Sequence, residues 1–483
     1  MLLLKNKILL PLVGMFILLN GYFMLDGNYY LNVIPLVLLV VYFAIFYTEQ
    51  VFLLVALLTP LSVNLEEFTD GKMGLFIPTE PLLFGLMLWI LMQHFHKRFL
   101  PQHLWKQPIV WAVGFYLFWM FTTSLTSSHV LVSFKFLLVK LWFIIPALLY
   151  GTYVFRKKQR IKTFLWLFAT GMVITMIYTV INHSLYAFGE KEGHWVMSPF
   201  FKDHTIYGAA VALNLYIVLA LLLSKKHDPL TLVVLVSFLV VNLVALYFSY
   251  TRAAWLSVVA AFIVYLCIHF KIKFKYLAGG TIFVALLVLV SWDTIQMEMA
   301  RNDKEHTTED FGERLQSATN VTTDASNLER LNRWDCALEM FKDRPVFGYG
   351  PGTYAFEYAR FQDPENLTII STNFGDGGNA HSEYLGPLSE SGLLGLISIL
   401  LVVAAIFYQG ITLYIKYPKE DTEYRRIILL LVLALVTYFV HGFLNNYLDT
   451  DKASIPIWGI CAVFLALEER RKQHLEGKLT IQD

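Results

Sequence analysis

Three short stretches of the 483-residue chain carry side chains that could bind an anion and move a proton. They read S-Y-T-R-A-A-W at 249–255, E-R-L-N-R-W at 329–334 and G-G-N-A-H-S-E-Y-L at 377–385. Arginine binds phosphate oxygens bidentately and stays charged at physiological pH, and histidine exchanges a proton near neutrality. These residue types suit a reaction in which an anionic group leaves and a hydroxyl is activated.

The arginines are the candidate anion ligands. Arg252 lies at the membrane end of an apolar segment, where snorkelling to the headgroups is the alternative role. Arg330 and Arg333 are three residues apart, so on a helix they share a face and could hold one anion. The alternative for that pair is a solvated face paired with neighbouring carboxylates. Arg344 is a further candidate on charge and position.

His381 is the candidate base, because it lies on a glycine-rich stretch at the mouth of a helix. Asp376 and Glu383 flank it and could orient it or raise its pKa. Tyr384 is a supporting candidate, with aromatic anchoring at the membrane interface as the alternative. A purely structural histidine between exposed carboxylates is the competing interpretation.

Several other patterns need an interpretation. The G-Y-G-P-G stretch at 348–352 lacks the Lys-Ser/Thr ending of a nucleotide loop, so we expect a tight turn that holds an external lobe against the membrane. Lys135 and Lys140 fall within an apolar segment, where charge is expensive, so we expect them to line a groove for an anion. Asp449-Thr450-Asp451 has a spacing known from metal sites but is common by chance, and we predict no bound metal.

The composition predicts the kind of secondary structure that positions these residues. Hydrophobic residues make up 57% of the chain and charged residues 16%, which is typical of a membrane protein. Lys plus Arg (38) and Asp plus Glu (37) nearly balance, so no overall charge points to nucleic acid. The sequence therefore predicts an all-α polytopic membrane protein with about 12 to 14 spans.

Apolar segments long enough to form these spans, or nearly so, recur along the chain. They run over 8–25, 29–47, 50–63, 75–93, 108–126, 132–152, 161–183, 205–224, 229–248, 252–270, 274–292, 383–415, 425–445 and 454–468. We expect three parts: eleven spans in 1–292, a large external loop with the chemical motifs in 293–382, and C-terminal spans with a tail in 383–483. Within the loop, Asn327–Phe341 has helical spacing of apolar residues.

Basic residues predict the orientation. The clusters at 96–98, 156–162, 225–226, 271–275, 425–426 and 470–472 all fall on one side of the membrane when fourteen spans are counted. Lysine and arginine are retained on the cytoplasmic side, so both termini are predicted to be cytoplasmic and the large loop external.

In their order and spacing, the motifs resemble the O-antigen ligase and polymerase family of bacterial membrane proteins. The resemblance rests on S-x-T-R-A-A-W, R-x-x-x-W-x-x-A-L, R-P-V-F-G-Y-G-P-G-T-Y, N-A-H-S-E-Y-L and E-S-G-L-L-G between Ser249 and Gly395. It implies a GT-C-like membrane fold in the inner membrane and a metal-independent, inverting glycosyltransferase without cofactor. The implied donor is a glycan on undecaprenyl diphosphate, and the implied acceptor is lipid A-core or a similar hydroxyl compound on the periplasmic face.

The resemblance also assigns residues. His381 matches the family histidine taken as the base, while Arg252 and Arg330 match arginines assigned to the donor diphosphate. Most relatives have His-Asn where this chain has His381-Ser382, so the role of that neighbour is open. A polymerase of repeat units and a protein O-oligosaccharyltransferase share the donor chemistry and stay as alternatives. A transporter is the competing class, but it predicts charges near the bilayer midplane rather than on one face.

Overall fold

The computed structural model of the protein describes residues 9–25, 27, 30–68, 74–97, 100, 102–272, 325–362 and 378–476. Its contacts divide the chain into two units, Met1–Phe52 and Leu53–Asp483. The predicted eleventh span at 274–292 and the candidate Asp376 lie outside the described residues.

Helices form nearly all of the regular structure. The long helices are α1 (Leu9–Leu25), α2 (Val33–Phe46), α3 (Thr48–Leu61), α4 (Thr79–Lys97), α5 (Pro108–Leu125), α6 (Val130–Ile144), α7 (Lys158–Ser184), α8 (His204–Ser224), α9 (Pro229–Tyr247), α10 (Arg252–His269), α11 (Ala325–Asp343), α12 (Leu385–Lys416), α13 (Thr422–His441) and α14 (Asp451–Leu475). A π-helical turn, Ile145–Tyr150, continues α6 to Val154. Within the described residues, the only strands are β1 (Val63–Asn64) and β2 (Phe76–Ile77), which pair antiparallel.

Short helical turns connect the long helices. They are the 3-10 turns Tyr30–Asn32, Leu65–Phe68, Gln102–Lys106, Glu192–His194 and Tyr358–Phe361 and the four-residue helix Tyr354–Glu357. The last two lie in the segment between α11 and α12 that carries the G-Y-G-P-G motif.

Eight of the described helices are long and apolar enough to cross a membrane: α5, α6 with its extension, α7, α8, α9, α10, α12 and α13. This confirms the all-α polytopic prediction. Each predicted span except the eleventh corresponds to a helix, and the predicted segment at 161–183, for example, is observed as Lys158–Ser184. The predicted total of about 12 to 14 spans also counts helices that are shorter or less apolar than these eight.

Aspartate caps begin three of the spans. Asp203 Oδ1 accepts hydrogen bonds from the backbone N–H of Thr205 and Ile206 at the start of α8. Asp228 and Asp421 cap α9 and α13 in the same way. An N-cap carboxylate accepts from otherwise unpaired N–H groups of the first helical turn, so these positions explain where the helices start.

The ends of the spans meet on two opposite faces. On one face, Arg156 pairs with Glu469 at 3.2 Å and Lys158 pairs with Asp421 at 3.2 Å, which joins the starts of α7 and α13 to the end of α14. Arg426 donates to the carbonyl of Leu223 at the end of α8. Four of the predicted basic clusters, at 156–162, 225–226, 425–426 and 470–472, therefore lie together on this face, which we call the basic face.

The opposite face carries the loop between α11 and α12. A small hydrophobic core builds this lobe from Cys336, Ala337 and Met340 of α11 together with Tyr349, Tyr354, Tyr358 and Ala380. The helix predicted over Asn327–Phe341 is confirmed as α11. Its buried face is centred on Ala337 and Met340, whereas Leu338 is 40% exposed, because the lobe packs tyrosine rings against the small side chains.

Candidate functional site

His381 lies on a tightly held loop at the start of α12. Its φ is +45°, a left-handed conformation that is uncommon for a residue other than glycine. Asn379 Oδ1 accepts a hydrogen bond from the His381 N–H at 2.9 Å, and Trp334 Nε1 donates to the His381 carbonyl at 3.4 Å. Backbone strain of this kind persists where surrounding contacts determine it, and such positions cluster at functional sites.

The surroundings of the His381 imidazole favour its neutral form. Burial, followed by the charges of Arg333 and Arg330, lowers its pKa from 6.5 to about 4. The side chain of Asn445 hydrogen-bonds to it, and Asn445 Nδ2 lies 3.1 Å from Nε2 of His441. A neutral imidazole has a free lone pair, so His381 is held in the form that a general base requires.

Arg252 and Arg330 come from different helices but approach one place. Arg252 is the first residue of α10 and Arg330 is in the second turn of α11. The charges of both act on His204 at the start of α8, and the charge of Arg330 also acts on His381. The His204 ring stacks on His194, with the ring centroids 4.2 Å apart. The N-terminal ends of α8 and α10 thus meet α11 around a positively charged region beside His381.

Arg333 and Arg344 are engaged inside the lobe. Arg333 Nε contacts Glu329 Oε1 at 2.7 Å in a buried ion pair, and its guanidinium lies over the Tyr358 ring. Arg344 is exposed and stacks on the Tyr349 ring at 4.3 Å. Arg333 also donates to the carbonyl of Asn379 at 3.4 Å, so it holds the loop that carries His381.

Glu383 ties the same loop to the segment between α13 and α14. Its Oε1 accepts hydrogen bonds from the Tyr438 hydroxyl at 2.5 Å and from the N–H groups of Tyr447 and Leu448. Burial raises the pKa of Glu383. Tyr384 donates from its hydroxyl to the carbonyl of Phe439 at 2.9 Å. The two predicted supporting residues that the structure describes, Glu383 and Tyr384, therefore hold the loop against α13.

The G-Y-G-P-G stretch is a turn that packs between α12 and the α5–α6 connection. The N–H of Gly350 donates to the carbonyl of Glu390 at 2.7 Å, and the N–H of Ser128 donates to the carbonyl of Tyr349 at 2.8 Å. Gly350 has φ +110°, and a Cβ there would lie 2.0 Å from Ser127 Oγ. Only glycine fits this close crossing. The turn fixes the lobe against the spans, as the sequence indicated.

A cavity of about 280 Å³ lies beside the His381 loop. Ala380 and Ser382, the two chain neighbours of His381, form part of its wall, and Lys140 of α6 lines it from the membrane side. Lys140 is only 5% exposed. Lys135 is exposed, and its charge acts on Glu80 at the start of α4. Of the two predicted lysines, the structure places Lys140 at the cavity.

The two aspartates of the D-x-D sequence face different surroundings. Asp449 lines the cavity, and burial raises its pKa. Asp451 Oδ2 accepts from the hydroxyls of Ser62 and Thr79 at the ends of α3 and α4. In the part of the chain that the structure describes, no group of three or more histidine, cysteine or carboxylate side chains could hold a metal ion.

Sequence reasoning missed the residues that support the site from other helices. They are Asn379, Asn445, His441, His204 and Glu390. His441 is the last residue of α13 and Asn445 follows it in the connection to α14, so their contact forms where the helix ends. Asn379 and Glu390 begin two of the quoted motifs, N-A-H-S-E-Y-L and E-S-G-L-L-G, which could have drawn attention to them. His204 lies in no quoted motif, and its position beside the site becomes visible only when the helices pack.

Comparison with known proteins identifies the segment that carries the site. A family model described as O-antigen ligase matches residues 236–400, which include Arg252, Arg330 and His381. An uncharacterized protein of Haemophilus influenzae is 24% identical over 139 residues, covering 28% of this chain and 33% of that relative. The family match agrees with the resemblance of the motifs between Ser249 and Gly395 to the O-antigen ligase and polymerase family.

Proposed function

We propose that this protein transfers a glycan from an undecaprenyl diphosphate carrier to an acceptor hydroxyl, such as one of lipid A-core. The reaction is a metal-independent displacement with inversion. His381 is the general base, and Arg252 and Arg330 hold the donor diphosphate. The proposal rests on the similarity of residues 236–400 to O-antigen ligases and on the chemistry of the residues that meet beside His381.

One observation carries the proposal: three residues that are distant in sequence converge on one region. The charges of Arg252 and Arg330 both act on His204, and that of Arg330 also acts on His381. A neutral imidazole that the charge of Arg330 reaches, together with Arg252 near the same His204, offers the two functions that glycosyl transfer from a diphosphate requires.

In the proposed mechanism, His381 accepts the proton of the acceptor hydroxyl. The acceptor oxygen forms a bond to the anomeric carbon, and the bond from that carbon to the diphosphate oxygen breaks. The diphosphate leaves with the bonding electrons, and Arg252 and Arg330 stabilise its negative charge. A glycosyl diphosphate is already activated, so this reaction needs no cofactor.

We place the site at the periplasmic face of the bacterial inner membrane, with both termini cytoplasmic. The lysine- and arginine-rich loops on the basic face support this orientation, because such loops are retained in the cytoplasm. The carrier isoprenoid would then lie among the spans with its diphosphate at the external membrane surface, beside the membrane lipids. Arg333 and Arg344 remain second candidates for contacts to the glycan or the diphosphate.

The test is complementation of a deletion strain, with its lipopolysaccharide and lipid-linked glycans analysed on gels. We expect glycan to be missing from the core lipid and to accumulate on the carrier, with rescue by the wild type. His381→Ala should lower transfer by about 100-fold or more, as is typical when a general base is removed. Arg252→Lys should reduce it strongly because lysine lacks the bidentate fork.

A matched control is Arg425→Lys, because Arg425 lies over the Tyr414 ring on the basic face, opposite the face that carries His381, and should tolerate the change. Near-normal rescue by His381→Ala, at equal membrane levels, would contradict the assignment of the base. Core lipid with single repeats would indicate a polymerase instead. Unglycosylated protein with normal lipopolysaccharide would indicate a protein O-oligosaccharyltransferase.

A further inference from the structure

The cavity beside the His381 loop differs in character from the arginine-rich region. The ionisable groups in its wall are Lys140 and three carboxyl groups, those of Glu383, Glu390 and Asp449. Aromatic rings of Tyr116, Trp119, Phe136 and Tyr354 make up much of the remaining lining. Neither Arg252 nor Arg330 contributes to it. A concave wall that combines rings with a few convergent polar groups is typical of a small-molecule site.

Lys140 is the least satisfied of these groups. It is 95% buried, since only 5% of its surface is exposed. Among the residues that the structure describes, no carboxylate lies in ion-pair contact with it, and its one close partner is the Phe136 ring, 5.0 Å from Nζ. Its charge still acts on Glu383 and Asp449 from a longer distance. A buried ammonium that has no hydrogen-bond acceptor within reach is costly unless a ligand in the cavity supplies one.

The carboxyl groups limit what that ligand can be. Glu383 and Glu390 are held in place by backbone N–H groups, with Glu390 Oε1 accepting from Tyr354 at 3.0 Å. The charge of Lys140 already acts on Glu383 and Asp449, and burial raises the pKa of these two carboxyl groups, so the wall carries little net charge and would leave a phosphate or carboxylate without a counterion. A polyol carries groups that each donate and accept, so it can satisfy the ammonium and the carboxyl oxygens together. Sugar rings also present apolar faces to aromatic side chains.

We propose that this cavity binds an uncharged sugar residue of the acceptor, a role that rests on the proposed function. Displacement with inversion brings the nucleophile to the side of the anomeric carbon opposite the leaving group. Because Arg252 and Arg330 bind the diphosphate, the acceptor must reach His381 from a different side. The cavity is formed in part by Ala380 and Ser382, on either side of that histidine. Lys140 and Asp449 therefore select the acceptor, and a terminal sugar with phosphate or carboxylate is excluded.

The test is ligand binding to the full-length protein in detergent, measured by saturation-transfer difference NMR. The probes are methyl β-glucopyranoside, its glucuronide, glucose 6-phosphate and inorganic pyrophosphate. We expect the neutral glucoside to bind at least tenfold more tightly than the two acidic sugars. Lys140→Met should weaken glucoside binding at least tenfold. Asp449→Asn keeps the shape of the side chain. It should reduce the difference in affinity between the neutral and the acidic sugars.

Controls separate this inference from the proposed function. Arg252→Ala should leave glucoside binding unchanged and weaken pyrophosphate binding, and saturating pyrophosphate should not displace the glucoside. Displacement of the glucoside by pyrophosphate, or loss of pyrophosphate binding in Lys140→Met, would make the cavity part of the donor site and overturn the inference. No glucoside binding at all, with pyrophosphate binding that depends on Arg252, would overturn the inference and leave the proposed function standing. Thermal melts of each variant confirm that it is folded.

Discussion

His381 illustrates how the environment prepares one side chain for chemistry. An isolated histidine has a pKa near 6.5 and is partly protonated at pH 6. Here burial and the neighbouring Arg333 and Arg330 lower the pKa to about 4. Under the proposed function, Arg330 both holds the donor diphosphate and keeps the base free of its proton.

This leads to a prediction about pH. A base with a pKa of about 4 is already neutral at pH 5, so transfer that depends on it should stay level from pH 8 down to about 5 and fall only below that. The measurement is the initial transfer rate in membranes from pH 4 to 8. Tryptophan fluorescence at each pH checks that the protein remains folded. A decline with a midpoint near 6.5 would indicate a base in an ordinary solvated environment and would argue against His381 as placed here.

Among the elements, α12 and the glycine turn determine how the lobe meets the spans. Gly392 interrupts α12 with φ +67° and ψ −167°, so the helix bends there. At the bend, the N–H of Leu393 donates to the carbonyl of Pro345, and Trp119 Nε1 of α5 donates to the carbonyl of Ser391. The kink thus exposes backbone groups of α12, and the turn and α5 satisfy them. The loop of His381 leads directly into the first turn of the same helix.

Replacing the kink glycine should therefore disturb the site from a distance. In Gly392→Ala, the new Cβ would lie 2.2 Å from the carbonyl oxygen of Val346 and would sit on a left-handed residue. The conformational penalty alone is about 1–2 kcal/mol, and the clash adds to it. We expect a lower melting temperature in detergent and a transfer rate reduced by about tenfold or more. The matched control is Gly114→Ala in α5, where no atom lies within 4 Å and both properties should stay near wild type.

At the scale of the whole molecule, the charged groups lie on two separate faces. The basic face is held together by ion pairs such as Lys162–Glu423 at 2.6 Å and by Arg470, which donates to the carbonyl of Arg156. The opposite face holds His381, Arg252 and Arg330, with the hydroxyl of Thr251 donating to the carbonyl of His204. Under the proposed function, the basic face anchors the protein and the opposite face carries the charge that binds the donor.

Orientation in the membrane follows from this separation and can be measured. With the three cysteines replaced by alanine, Lys191→Cys in the α7–α8 connection should react with a membrane-impermeant maleimide on intact spheroplasts. Lys419→Cys in the α12–α13 connection, on the basic face, should react only after the membrane is permeabilised. Both lysines are exposed, so accessibility of the side chain is not limiting. The reverse pattern of labelling would invert the topology and place His381 in the cytoplasm.

Hydrophobic runs in the sequence predict the membrane class and most helix positions, because burial in lipid acts on local stretches of chain. Basic loops predict the shared face of the basic clusters, because charge retention is also local. The order of motifs similarly indicates His381, Arg252 and Arg330. Packing alone decides that Arg333 donates to the carbonyl of Asn379, that Glu383 holds the His381 loop against α13, and that Lys140, and not Lys135, lines the cavity. These roles depend on partners from helices far apart in the chain, and one sequence contains no local pattern that specifies such distances.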